Sequence, residues 1–190
     1  MSNQGKLRSN GAAILWLGVL SSVATAQTGG ATVFATEGVW QDDRGRELAW
    51  AALAGRVRVV AMFYSGCHLA CPTTVAAMQW IEKNLPPAAR ATTEFVLVTL
   101  DPGGDTVRDL HAFRAEQRLS ARWTLLRGNR AATRELADTL GISFRLDATR
   151  LTHTAAIVVL DAAGRIVSRH TTLHPELRGV IASVGSLGGR

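Results

Sequence analysis

The segment 57–63, Val-Arg-Val-Val-Ala-Met-Phe, constrains the fold more than any other stretch. It is β-branched and apolar with almost no polar alternation, the pattern of a strand covered on both faces. A second such run, Glu-Phe-Val-Leu-Val-Thr-Leu, occupies 94–100. Between them the period changes. Val75, Met78, Ile81 and Leu85 recur every three to four residues, which predicts a helix over 72–85. Pro72 suits a first helical position, and Pro86-Pro87 stops the helix. Two buried strands joined by a helix form a parallel crossover unit, so helices must cover both faces of the sheet.

The remaining elements follow from similar signals. Residues 38–48 read as a hairpin around Asp42-Asp43-Arg44-Gly45, and 50–53 as a helical turn. A helix over 106–118 turns Val107, Leu110 and Phe113 inward, and 123–127 is a short strand. Asn129 caps a helix that runs through Leu136 and Leu140 to Gly141. Residues 155–160 and 165–169 flank Asp161-Ala162-Ala163-Gly164 as a second hairpin, and 175–184 is a last helix. The fold class is α/β: a thioredoxin-like core with an added N-terminal β-hairpin.

The N-terminus points to export. Residues 1–10 are polar and carry Lys6 and Arg8, 11–24 are apolar, and Ala24-Thr25-Ala26 is an A-x-A pattern. This is the layout of a signal peptide cleaved after Ala26. The apolar run is shorter than the ~20 residues a spanning helix needs. The alternative is an uncleaved membrane anchor, and either reading puts the folded part outside the cytoplasm, in the periplasm or its equivalent. Residues 27–32 form a linker and 33–190 a single domain. The net charge is +6 over 190 residues, but Lys6 and Arg8 belong to the leader. The other arginines are scattered, without the basic run interleaved with aromatics that nucleic-acid binding calls for.

Only two cysteines are present, so this is no disulfide scaffold. Both lie in Tyr64-Ser65-Gly66-Cys67-His68-Leu69-Ala70-Cys71-Pro72, between a buried strand and a helix. Sites in open α/β sheets form there, beyond the carboxyl end of a strand. A helix N-terminus also favours thiolate over thiol. Three residues separate the sulfurs, unlike the two of a thioredoxin. Such a pair can close a disulfide or present two soft donors to a metal, and spacing alone does not choose. A structural zinc site would need four ligands. Among possible third donors, His68 and His111 read as exposed side chains, and His170 and His174 as loop residues after the last strand. His153 differs, because Thr152-His153-Thr154 directly precedes the apolar strand at 155–160. In thioredoxin-like folds that loop faces the active cysteines and usually carries proline, yet no proline lies between Pro102 and Pro175. Two thiolates and an imidazole suit Cu(I) best; Cu(II) would add a ligand.

These motifs resemble the Sco/SenC family of copper-binding, thioredoxin-fold proteins that assist cytochrome oxidase assembly. The resemblance covers most of 38–170. It rests on Phe63-Tyr64-Ser65-Gly66-Cys67…Cys71-Pro72, then Asp101-Pro102-Gly103-Gly104-Asp105-Thr106, then His153, in that order. His68 departs from the family, many of whose members have proline there. The resemblance implies that Cys67, Cys71 and His153 are copper ligands, with Asp101 and Asp105 near the site. Read without the family, Asp101-Pro102 is a turn and Asp105-Thr106 a helix start, where either residue caps well. The implied role is a metallochaperone without turnover, delivering copper to an oxidase subunit or another exported copper protein. The alternative is a thiol–disulfide oxidoreductase, with Cys67 and Cys71 as its redox pair and an external thiol reductant as partner. A purely structural disulfide would constrain little, since it closes a very short loop.

Overall fold

The computed structural model of the chain describes residues 32–66, 70–147, 150–171 and 177–187, with backbone only at 70–72, 146–147 and 150. The expected leader at 1–26, almost all of the expected 27–32 linker, Cys67, His68 and His174 lie outside the described residues. Strands β1 (Trp40–Asp42) and β2 (Glu47–Leu48) form the expected hairpin, followed by a 3-10 turn at Trp50–Leu53. Strand β3 (Val57–Phe63), helix α1 (Ala70–Asn84) and strand β4 (Thr93–Thr99) build the crossover unit. Helix α3 (Val107–Glu116), strand β5 (Trp123–Arg127) and helix α4 (Arg130–Leu140) come next. Strands β8 (Ile157–Leu160) and β9 (Ile166–His170) and helix α5 (Leu177–Leu187) complete the core.

Seven strands form one sheet, in the order β2-β1-β5-β4-β3-β8-β9. The central β3 pairs parallel with β4 and antiparallel with β8, and β4 pairs parallel with β5. The added hairpin joins the far edge through antiparallel β1–β5 pairing. This is the thioredoxin-like arrangement expected.

Every residue of β3 is buried. Val59, Ala61 and Phe63 pack toward α1, α3 and α5, among Val75, Met78, Leu110, Phe113, Val180 and Val184. Val60 and Met62 pack the other way, with Leu136, Ala137 and Leu140 of α4 and with Trp40 and Trp50. Each large apolar side chain contributes about 1.5–3 kcal/mol on burial, more than a hairpin hydrogen bond at about 0.5–1.5 kcal/mol. The two cores therefore decide where β3 ends, and with it where the cysteine loop begins. Val107 is only half-buried, because it lies at the open first turn of α3.

Two elements were not legible in advance. Pro86-Pro87 ends α1 but also starts a short helix, α2 (Pro87–Thr92), with proline at its first turn. A separate hairpin, β6 (Phe144–Asp147) and β7 (Arg150–His153), stands apart from the main sheet. Phe144-Arg145-Leu146-Asp147 does alternate apolar and polar as a half-buried strand does, but each of the two strands is only four residues long.

The hairpins β1–β2 and β8–β9 turn on the same device, Asp-x-x-Gly-Arg. Asp42 accepts from the backbone N–H groups of Arg44 and Arg46, both at 2.9 Å, and from Arg46 Nε at 2.7 Å. Asp161 does the same with Ala163, Arg165 and Arg165 Nε, at 2.9, 2.9 and 2.7 Å. Gly45 and Gly164 supply the positive φ, +77° and +79°. Beside the first turn, Asp43 pairs with Arg114 of α3, whose Nη2 is 2.9 Å from Asp43 Oδ1, and locks the added hairpin to the core.

Burial opposes the charge of Asp42 and Asp161, but the bonds from their arginines and neighbouring N–H groups outweigh it and hold both carboxyls below the usual range. A depressed folded-state value stabilises above the unfolded value, about 3.9, and is lost as pH falls through the folded one. Asp42→Asn and Asp161→Asn should therefore lower the urea midpoint at pH 7. The deficit should shrink steadily below about pH 4. Equal deficits at neutral and acid pH would contradict the charge-based account.

Candidate metal centre

Strands β3, β4 and β5 run parallel, so their carboxyl ends share one edge of the sheet. Strand β8 runs the other way and begins at that edge. The cysteine loop leaves β3 there, the 100–106 segment leaves β4 there, and the chain from β7 arrives there. Leu100 N–H donates to Phe63 O at 2.7 Å and ties the first two exits together.

Asp105 organises this edge. It is 4% exposed. Its carboxylate accepts from the Ser65 backbone N–H at 3.0 Å, from the Ser65 hydroxyl and from the Thr99 hydroxyl. Ser65 lies two residues before Cys67, so the carboxylate fixes the start of the cysteine loop. Thr99 Oγ1 in turn accepts from Asp101 N–H at 3.0 Å. Asp101 closes its own turn: Oδ1 accepts from Gly104 N–H at 3.0 Å, and its carbonyl from Asp105 N–H at 2.8 Å. A Cβ on Gly104 would collide with the Asp101 carboxylate, which accounts for the glycine.

The helix start expected at Asp105-Thr106 is there, with Thr106 and not Asp105 as its cap. Thr106 is the N-cap of α3, in a reciprocal capping box with Asp109. The threonine at 106 with an acid three residues on was the available signal for the cap. Bonds from the Thr106 hydroxyl and the Thr106 backbone N–H hold the Asp109 carboxyl below its ordinary value.

Among the proposed ligands, Cys67 lies outside the described residues. Cys71 is the second residue of α1, within its first turn, and only its backbone is described. His153 is the last residue of β7, paired with Phe144 of β6, rather than a loop residue. Its ring meets the Tyr64 ring edge-on, with centroids 6.2 Å apart and planes at 82°. Its Nδ1 is 3.2 Å from Thr154 O. With the proton on Nδ1 donated there, Nε2 carries the lone pair a metal requires. Tyr64 stands three residues before Cys67, so the structure brings the imidazole to the stem of the cysteine loop. Tyr64 itself escaped the sequence reading as a site residue, because an aromatic at a strand end looks like core.

The other histidines lie elsewhere. His111 is exposed on α3, as expected. His170 ends β9 instead of following it, with Nε2 3.1 Å from Ser168 Oγ. Among the described residues no three His, Cys, Asp or Glu side chains cluster to hold a metal. The donor set proposed from the sequence is two thiolates and one imidazole. The tautomer set by Thr154 and the helix start at Cys71 fit a soft, low-coordinate ion.

Asp105→Ala should cost about 3 kcal/mol, because it leaves the buried Thr99 hydroxyl and Ser65 N–H without a charged acceptor. Asp109→Ala, which breaks only an exposed cap, should cost clearly less. Urea unfolding of both variants distinguishes the two roles. Equal losses would return Asp105 to a capping role.

Comparison with known proteins agrees with this architecture. The family described as SCO1/SenC matches residues 28–184. A curated protein of Stutzerimonas stutzeri, which carries the provisional name of copper-binding protein, is 29% identical over 103 residues. That match takes in 54% of this chain and 50% of the relative, so the chain spans about half the length of that curated relative. ScoI of Bradyrhizobium japonicum, solved with copper bound, superposes with a TM-score of 0.66 at 18% identity, over 79% of this chain and 96% of that one. BsSco, described as having a disulfide switch and as a member of the Sco family of cytochrome c oxidase assembly proteins, gives 0.69 at 20% identity, over 81% and 93%. Identities this low carry the fold alone. The family match runs from before the first described residue to within the last helix, and on that ground the chain belongs to the SCO1/SenC family.

Proposed function

We propose that this chain is an exported copper metallochaperone. Cys67 and Cys71 supply two thiolates, His153 supplies an imidazole, and Cu(I) is the cargo. The observation that carries the reading is the contact of the His153 ring with Tyr64, at the stem of the cysteine loop. Cys71 in the first turn of α1 supports it, because a helix start favours the thiolate that binds soft metals. The copper-bound relative and the curated relative named for copper agree with the same chemistry. The leader at 1–26 would direct the protein to the periplasm, by cleavage after Ala26 or by retention as an anchor. The recipient would be a copper site of a respiratory oxidase, in keeping with the assembly role given for BsSco. Transfer needs only ligand exchange, the recipient's donors replacing the sulfurs and imidazole one at a time.

A second reading has its own support. Two cysteines, one of them at a helix start, can cycle between dithiol and disulfide and reduce a client's copper-site cysteines. An external thiol reductant would then restore the pair.

Cu(I) affinity of the reduced protein should fall roughly tenfold or more in His153→Ala, and binding should be lost in Cys67→Ser or Cys71→Ser. Equal affinity in His153→Ala would refute the three-ligand site. Metal analysis and a thiol count on protein isolated from the periplasm separate the two readings. Bound copper supports the chaperone, and a copper-free disulfide supports the oxidoreductase.

A further inference from the structure

A second concave site opens at the same sheet edge, apart from the cysteines. It is a cleft of about 580 Å³ between the 100–102 segment, the first turns of α4 and strand β6. Its volume lies in the range of pockets for organic ligands, well beyond a single inorganic ion. Leu100, Pro102 and Phe144 give it an apolar wall, and Arg130, Arg134 and Arg145 give it three guanidiniums from two different elements. Among the described residues Asp101 is the one acid in its lining. Among the described residues none of these three arginines pairs with a carboxylate.

Local contacts hold Arg134 in place. Arg134 lies over the Phe144 ring, its Cζ 3.9 Å from the centroid, and donates from Nη1 to Phe144 O at 3.2 Å. Its other N–H groups remain for a ligand. Arg130 lies against the 100–104 turn, where a Cβ on Gly103 would come within 3.1 Å of Nη2. Gly103 thus leaves room for a guanidinium, a use the turn alone does not require. Thr133 lines the same cleft although it is 1% exposed, and its Oγ1 has no hydrogen-bond partner among the described residues. Buried hydroxyls without partners are costly and uncommon, so this one points to an acceptor supplied from outside the chain.

We propose that this cleft binds an organic anion carrying two or more carboxylates on an apolar frame. Guanidiniums pair with carboxylates in planar, two-pronged fashion, and three of them spread over two elements match several separated carboxylates better than one compact phosphate. The apolar frame lies against Phe144 and Pro102, and the Thr133 hydroxyl donates at the base. The cleft shares Phe144 and Arg145 with the groove that holds His153, so the anion sits beside the candidate metal centre. A free polycarboxylate and an acidic segment of a partner protein carry the same chemistry. The inference does not rest on copper binding.

The test uses the full chain, reduced and metal-free, titrated by NMR with citrate, with an Asp/Glu/Phe peptide and with inorganic phosphate. Saturable shifts at α4 and β6 with citrate identify a free anion, and with the peptide alone a partner segment. Affinity should fall about tenfold in Arg145→Gln and again in Arg130→Gln/Arg145→Gln, and should weaken with salt. Thr133→Val should bind more weakly while unfolding no earlier than the parent. The proposal is overturned if neither citrate nor the peptide saturates, if phosphate alone binds, or if the arginine variants bind as the parent does. A Thr133→Val protein that binds normally and unfolds earlier would overturn the hydroxyl's place in the site.

Discussion

Strand β3 is buried on both faces, and the rest of the molecule is arranged to keep it so. Helices α1, α3 and α5 cover one side, and α4 with the tryptophans Trp40 and Trp50 covers the other. A strand held between two packed layers cannot slip by one residue, because every side chain would then change layers. Its last residue, Phe63, is therefore a fixed point. The cysteine loop departs from a position set by core packing far from any metal chemistry.

The Asp105 carboxylate carries that fixity one step further. It binds the backbone and hydroxyl of Ser65 and the hydroxyl of Thr99, so the exits of β3 and β4 share one acceptor. One residue earlier, Tyr64 meets the His153 ring. The candidate ligands are thus supported by groups that bind no metal themselves. Donor orientation before metal arrives lowers the ordering cost of binding and favours a defined coordination.

Much of the fold was legible because local and global signals agree. The strands at 57–63 and 123–127 and the cap–helix–glycine run from Asn129 to Gly141 appear where their residues place them. The β6–β7 hairpin was missed, because its strands are runs of only four residues and pair with each other instead of with the main sheet. The same miss put His153 in a loop, although it ends a strand. The site was legible as chemistry, in two sulfurs near a helix start and a histidine before a late strand. Of its supports, the resemblance placed Asp105 near the site but not its hold on Ser65, and Tyr64 was missed, because both act through partners dozens of residues away.

The sequence alone determined the α/β alternation, the twofold burial of β3, the turn devices at Asp42 and Asp161, and the residue types that can hold a soft metal. These depend on near neighbours along the chain and on hydrophobic period. The tertiary structure decided that Asp105 anchors a loop and caps no helix, that His153 meets Tyr64, and that three arginines line one cleft. Each of these depends on which segments meet across the sheet edge, and local propensity holds no record of such meetings.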